Sequence, residues 1–369
     1  MPLFAKRLEG DGADAARGFG EEVLAGLLFV LLIVLAIAEI AMPWLMYLFA
    51  PGFVSEPGKF ELAVTLTRIA FPYLVFMSLV ALLAGVLNSL HRFTAAAAAP
   101  IVLNIVMISV LAFITLAGWG NTARTGMALV WGVSAAGAVQ LVMLWIACRR
   151  AGMPIKLRRP RMTDGLRRLI TLGIPGVIAG GITQLNLVIS TIIASLQASA
   201  PSWLYYADRI YQLPLGIVGV AIGVVLLPDL SRSLRAGLED KVQATQNRSV
   251  DVSMFLTSPA AGALMAIPYP VIQVLFERGA FGASDTQASA TALAAFAAGL
   301  PSFVLIKIFS PGFFAREDTR TPMYFAAAGV AVNIIAALAL FPFFGHVGIA
   351  AATTMAGWLN AGLLGLTLT

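Results

Sequence analysis

Charge is scarce in this chain: 11% of its 369 residues are Asp, Glu, Lys or Arg, where soluble domains carry about 25%. With 59% of the residues hydrophobic, the composition excludes an ordinary soluble domain and points to lipid. A single cysteine, Cys148, excludes an internal disulfide, and the two histidines, His91 and His346, lie far apart. No Cys/His cluster at metal-ligand spacing and no Gly-rich phosphate loop occurs, so neither metal nor cofactor is expected. Asp164, Glu317 and Asp318 do not form the acidic metal-binding motif that a membrane transferase acting on polyprenyl phosphates would carry. No nucleophile–base constellation stands out, so the chain does not read as an enzyme, and no nucleic-acid partner is expected. The charged leader of about twenty residues precedes a run too long for the core of a cleavable signal peptide; that run reads as a membrane span.

What is abundant is apolar sequence in long runs. Ten of them, near 22–49, 63–90, 97–118, 124–149, 166–195, 203–228, 249–275, 286–313, 321–343 and 346–367, each supply the ~20 residues a spanning helix needs. The basic residues fix an orientation. The leader (Lys6, Arg7, Arg17), Arg92, and the 149–168, 229–248 and 314–320 loops hold eighteen of the 24 Lys and Arg. The opposite side holds Lys59, Arg124 and Arg278, and Arg68, Arg209 and Lys307 fall within runs. Positive loops stay inside, so the leader and the eighteen-charge side are expected in the cytoplasm. The basic 149–168 loop reads either as a contact for anionic lipid heads or as an inside anchor and linker; the linker reading is preferred.

A repeat lies across that linker. Pro72 and Asn104 are spaced as are Pro301 and Asn333, and Ala97–Ala99 match Ala326–Ala328 between them. Upstream, Pro43 with Leu48–Phe49 matches Pro270 with Leu275–Phe276. The matches pair runs six apart, which preserves orientation and makes the units parallel repeats. The expected fold is therefore an all-α, polytopic membrane helical bundle of two parallel-repeat lobes. Residues 1–150 form an N-terminal lobe of four spans, and residues 151–369 a basic linker and a C-terminal lobe of six. A six-span repeat with four spans before the linker implies two further spans upstream, so the first lobe is expected to be incomplete.

The sixth run holds the strongest candidate site. Asp208 and Arg209 sit inside it, where a charge costs roughly 3 kcal/mol on insertion scales and so faces a cavity or a partner. Tyr205, Arg209, Gln212, Gly216, Gly219 and Gly223 follow at steps of three and four and share one helical face. The glycine half would let another backbone approach, and the polar half would line a wet space. Pro214 withholds a donor from the carbonyl of Ile210 and is expected to loosen the helix beside Arg209. The competing structural reading pairs Arg209 with Asp208 or with a neighbouring span. Elsewhere, Glu39 reads as a titrating group or as a neutral acid in a helix interface, and Arg68 as a snorkelling cation. Lys307 reads equally as a cavity or lipid-phosphate contact. Gln184, Asn186, Asn104 and Asn333 fit a substrate cavity or interhelical hydrogen bonds.

Several stretches together carry a family resemblance. YYADRIYQLPLGIVGVAIGVVLLPDLS (Tyr205–Ser231) resembles the eighth span of the MurJ (MviN) lipid II flippases. FPYLVFMSLVALLAGVLNSLHRF with APIVLNI (Phe71–Phe93, Pro100–Ile105) resembles their fourth and fifth spans, and LFERGAF (Leu275–Phe281) and PGFFAREDTRTP (Pro311–Pro322) match as well. That family belongs to the multidrug/oligosaccharidyl-lipid/polysaccharide exporters. The resemblance implies two six-span lobes around a central cavity, of which this chain resembles spans three to twelve. It also implies a bacterial cytoplasmic-membrane transporter that flips the undecaprenyl-pyrophosphate-linked precursor lipid II by alternating access, with lipid II and membrane lipids as partners. Arg209 and Asp208 match the family's eighth-span arginine and acid, whereas Gln212 stands where the family often has an acid. Arg is suited to a pyrophosphate because its planar, always-charged fork binds bidentately. The alternatives are a drug or polysaccharide-lipid exporter of the same superfamily and a non-functional fragment.

Overall fold

The computed structural model describes residues 2–56, 58–120, 122–316 and 318–368, without side-chain surroundings for Pro2, 164, 172–180, 182, 183, 185, 219–225, 227, 228 and 235. Packing divides the chain into two units, Met1–Leu48 with Val54–Ala179 and Phe49–Phe53 with Gly180–Thr369. Among the described residues every regular element is helical.

The first unit holds α1 (Pro2–Gly10), α2 (Gly12–Phe49), α3 (Lys59–Ala70), α4 (Tyr73–Ser89), α5 (Phe93–Leu116), α6 (Ala123–Arg150) and the start of α7 (Asp164–Ser195). Its leader is not a simple charged tail. Gly12, in the left-handed region at φ +87°, turns α1 back against the start of α2, a conformation that costs glycine nothing. Phe4 is buried there with Phe19, Val23, Leu83, Leu87, Leu144, Cys148 and Ile155. The Arg7 guanidinium lies 4.2 Å from the centre of the Phe19 ring. The linker after α6 is drawn onto the same place. Buried Glu21 accepts the Lys156 N–H at 3.1 Å, and its other oxygen lies 2.5 Å from Arg158 Nε as an ionic contact without hydrogen-bond alignment. Glu22 accepts the Thr163 hydroxyl at 2.8 Å.

The second unit holds the rest of α7 with α8 (Ala200–Arg235), α9 (Glu239–Ala266), α10 (Pro268–Phe276), α11 (Ala283–Ala297), α12 (Leu300–Ala315), α13 (Arg320–Phe344) and α14 (His346–Leu368). α8 packs on α9, α11 and α12 and touches α14. Its buried side carries Ala207, Ile210 and Tyr211 into a core with Ala261, Ile272, Leu293, Phe296 and Leu300.

Each of the ten apolar runs coincides with a helix or a broken helix. Seven described segments are long and apolar enough to cross a membrane, eight if α9 and α10 are one span. The runs at 166–195 and 203–228 lie on α7 and α8, whose side chains are only partly described. Large apolar side chains such as Ile108, Phe113 and Leu116 on α5 are exposed; a helix hydrogen-bonded within itself and apolar outside suits hydrocarbon surroundings. The chain is a multi-pass membrane protein.

The two units share one break, in the second and eighth runs, whereas the first run is continuous and the seventh is broken between α9 and α10. α3 and α4 interrupt the second run at Phe71–Pro72, and α11 and α12 interrupt the eighth at Ala298–Gly299. The ends of α3 and α11, and the starts of α4 and α12, are each 227 residues apart. In both units a hydroxyl on the last helix binds a carbonyl beside the break: Ser134 to Ile69 at 2.7 Å, Thr354 to Ala295 at 2.7 Å. Three residues on, Gly137 packs against Tyr73 and Phe76, and Gly357 against Ser302 and Phe303.

Candidate functional site

The N-terminal half of α8 presents two faces of opposite character. Ala207, Ile210 and Tyr211 are buried, Tyr211 against the rings of Phe296 and Phe303 at 5.6 and 5.9 Å. One hundred degrees of rotation per residue therefore turns Tyr205, Arg209 and Gln212 outward, and all three are exposed, with Asp208 half-buried at the edge. The helix is pinned in that rotation near its start. Trp203 Nε1 donates to Asp285 Oδ1 of α11 at 2.8 Å, and the Trp203 ring packs on His346 at 4.9 Å. Tyr206 packs on Phe276 and Phe281, at 4.8 and 5.0 Å.

On the open face the four expected residues contact one another in two pairs. Gln212 donates its amide to the Asp208 carboxylate one turn back. The Arg209 guanidinium lies 4.7 Å from the centre of the Tyr205 ring, also one turn back, in a cation–π arrangement. Among the described residues no carboxylate lies within ion-pairing distance of Arg209. Neither form of the structural reading, a pair with Asp208 or one with an acid of a neighbouring span, is formed among the described residues. The guanidinium is oriented by an aromatic face and keeps its N–H donors available for an oxyanion. α8 runs as a continuous helix through Pro214.

The glycine half of the stripe behaves differently from expectation at the one position described. Nothing lies within 4 Å of where a Gly216 Cβ would stand, so no backbone approaches there. The surroundings of Gly219 and Gly223 lie outside the described residues.

The remaining candidates do not join these four in any described contact. Lys307 on α12 is exposed, as are Gln184 on α7 and, in the first unit, Asn104 on α5. Asn186 is half-buried with its carbonyl oxygen buried and unpartnered. Asn333 is buried on α13 and donates to Thr353 Oγ1 of α14 at 3.4 Å, which is the interhelical hydrogen bond; its own carbonyl oxygen is unpartnered. Arg68 does not simply snorkel: its Nε donates to the Glu39 carbonyl of α2 at 3.1 Å. With Pro72, Phe76, Trp131 and Ser134 these two line a cleft of about 600 Å³ in the first unit. In the turn after α10, Arg278 donates to the Val274 and Leu275 carbonyls at 2.8 and 3.0 Å, closing the end of that helix. Sequence reading missed Trp203, Asp285 and His346, because what they do is hold the rotation of α8, and no local spacing reports that. Among the described residues no group of His, Cys, Asp and Glu is placed to hold a metal ion.

A family model described as "Lipid II flippase MurJ" matches residues 1–369. A probable lipid II flippase MurJ of Rhizobium meliloti (strain 1021) is 54% identical over 370 residues, covering 100% of this chain and 69% of its own length. The corresponding protein of Rickettsia prowazekii (strain Madrid E) is 38% identical over 353 residues, covering 95% of this chain and 68% of its own length. Among solved structures, the lipid II flippase MurJ in an inward closed conformation superposes with a TM-score of 0.82 at 22% identity, covering 99% of this chain and 77% of that one. An inward-facing multidrug resistance transporter of the MATE family and MOP superfamily also reaches 0.82, at 14% identity, over 100% of this chain and 83% of that one. At these identities the structural likenesses speak to the fold.

Proposed function

The chain belongs to the MurJ lipid II flippase family, and we propose that it flips lipid II from the inner to the outer leaflet of the bacterial cytoplasmic membrane by alternating access. The observation that carries this reading to a site is Arg209, exposed on α8 with no described carboxylate paired to it and oriented by Tyr205. A pyrophosphate crossing hydrocarbon needs cationic partners, because an unpaired charge there is expensive. A guanidinium offers two parallel donors to one phosphate. Asp208, hydrogen-bonded by Gln212, adds a polar edge that accepts from sugar hydroxyls without neutralising Arg209. We assign Tyr205, Asp208, Arg209 and Gln212 to the substrate cavity, with Lys307, Gln184, Asn186, Asn104 and Asn333 as further candidates for its lining. The charged head travels inside the cavity while the polyprenyl tail stays in lipid. No covalent bond is made or broken in such a cycle, so positioning and charge compensation are the protein's whole contribution. The proposed lobes are residues 1–150 and 151–369, with the basic side and the leader in the cytoplasm.

The test is depletion of the protein in the cell that makes it. Lipid II should accumulate while the fraction reached by a membrane-impermeant lipid II-binding probe falls. An unchanged outer-leaflet fraction on depletion would remove the flippase reading.

A further inference from the structure

A second cleft, of about 640 Å³, opens in the first unit where α4 ends, α5 begins and α6 ends. Its walls are apolar, with Leu87, Val139, Val142, Met143 and Ile146 prominent, and two arginines, Arg92 and Arg150, line it as well. None of its lining residues is acidic, and among the described residues neither arginine is in an ion pair. A backbone hydrogen bond and a left-handed residue set the turn that carries Arg92. The Arg92 N–H bonds the Leu87 carbonyl at 2.9 Å, and His91 is held at φ 57°, a left-handed conformation uncommon for a residue other than glycine. Arg92 sits at the N-cap of α5 with no side-chain hydrogen bond to the helix's first amides, and Thr94 from that first turn lines the cleft. The positive end of the helix dipole thus adds to the two guanidinium groups.

An apolar slot with cationic groups and no acid along it matches one chemistry: a hydrocarbon chain joined to an anionic head. Arg92 and Arg150 both belong to the loops assigned to the basic side, where anionic head groups of that leaflet would meet them. We propose that this cleft is a binding site for an anionic glycerophospholipid of that leaflet. The phosphate lies between Arg92, Arg150 and the first amides of α5, and an acyl chain lies along Val139, Val142 and Ile146. The site is built from the first unit alone, shares no residue with α8 and does not rest on the transport reading; only the name of the leaflet follows from the topology.

The test is lipid retention by the full chain in detergent, read by native mass spectrometry with phosphatidylglycerol and phosphatidylethanolamine as probes. Binding in detergent is independent of leaflet and of flipping, so its failure leaves the proposed function untouched. Phosphatidylglycerol should bind in preference to phosphatidylethanolamine. Arg92→Gln and Arg150→Gln should each weaken it roughly fivefold, and the pair roughly 25-fold, as expected for about one surface charge contact apiece. Val139→Trp should weaken it by filling the slot with the charges intact, and Arg159→Gln with Arg161→Gln, the same loss of charge on the exposed linker, should not. The single variants carry the test if the double one does not purify. Equal binding of the two lipids, equal loss in the linker control, or unweakened binding by the cleft variants would each overturn the proposal. So would full displacement by inorganic phosphate, which would reassign the site to a free anion.

Discussion

Asp208 and Arg209 are adjacent in sequence, yet consecutive residues on a helix point about 100° apart and do not face each other. Each therefore finds its partner one turn away: Asp208 takes the Gln212 amide, and Arg209 lies over Tyr205. The stripe of Tyr205, Arg209 and Gln212 was legible from steps of four and three. The partition of partners was not, because it depends on rotamers and on the rotation of α8 that Trp203 and Asp285 fix. Arg209→Ala should leave membrane insertion intact or improved, since it removes a charge costly in lipid, while lipid II export falls to the level of depleted cells. Arg209→Lys should recover little, because lysine lacks the planar fork. Protein level and externally accessible lipid II measured on the same cells separate the accounts: loss of export only in step with loss of protein would favour a structural role. Asp318, outside the spans, behaves more simply. It accepts the Arg320 and Thr321 N–H groups, both at 3.0 Å, at the start of α13. Hydrogen bonding, chiefly with the Thr321 side chain and then its N–H, holds its carboxyl below the usual aspartate range. A depressed pKa stabilises the folded form above the unfolded value, and that stabilisation is lost as pH falls through the folded one. Hydrogen exchange, corrected for the intrinsic rate at each pH, should show the first turn of α13 protected near neutrality and fraying below about pH 4. Asp318→Asn keeps an acceptor and should abolish the pH dependence.

At the scale of elements, the apolar runs gave the helices but not their breaks. Proline was a poor guide, because Pro43, Pro100 and Pro259 lie inside continuous helices, whereas Pro72 and Pro301 flank interruptions. What decides is whether something else takes the freed carbonyls. At the breaks Ser134 and Thr354 supply hydroxyls from 65 and 59 residues away, information no local window contains. The 78° bend between α9 and α10 was likewise missed; there Pro268 and Pro270 both withhold donors after Ile267. The leader and linker were read as charged surface segments because their apolar members are few. Phe4 and Ile155 are nonetheless fully used, packed against Gly20, where a Cβ would come within 3.3 and 3.4 Å of them. The repeated glycines give the prediction at this scale. A Cβ on Gly137 would stand 2.7 Å from the Tyr73 ring and 2.9 Å from Phe76 Cβ, and one on Gly357 2.6 Å from Ser302 Oγ and 2.9 Å from the Phe303 ring. Gly→Ala gains about 1 kcal/mol of helix propensity, but overpacking costs typically 1–3 kcal/mol. Gly137→Ala and Gly357→Ala should therefore melt earlier in detergent than the parent. Gly262→Ala, on α9 with nothing within 4 Å, should melt at the same temperature or higher. Equal behaviour of all three would mean that the two close helix contacts are not what the glycines serve.

For the whole molecule, orientation is the property a sequence carries best and a set of helices carries least, since a bundle looks alike from either side of a bilayer. It rests on where positive charge was left during insertion. The eighteen basic residues expected on one side are not interchangeable there: some are tied down and some are not. Arg158 meets Glu21, and the Arg7 guanidinium covers Phe19, so part of the basic surface is fastened to the end of the first unit. Arg159 and Arg161 remain exposed. This division shapes the experiment. Single cysteines replacing Arg159, Arg161 and Arg92 should react with an impermeant thiol reagent only after the membrane is opened, and those replacing Lys59, Arg124 and Arg278 should react in intact spheroplasts. Cys148 is fully buried, so it contributes little background and its replacement is a precaution. A cysteine replacing Arg158 is an internal control: it should label more slowly than one at Arg159, because the backbone beside it is held by the Lys156–Glu21 bond. Labelling of Arg159 in intact spheroplasts would invert the topology and move Arg92 and Arg150 to the outer leaflet. The alternation of ten spans requires all the loops to invert together, so a mixed result, with Arg159 inside and Arg124 also inside, would instead mean that the run between them, α6, does not cross.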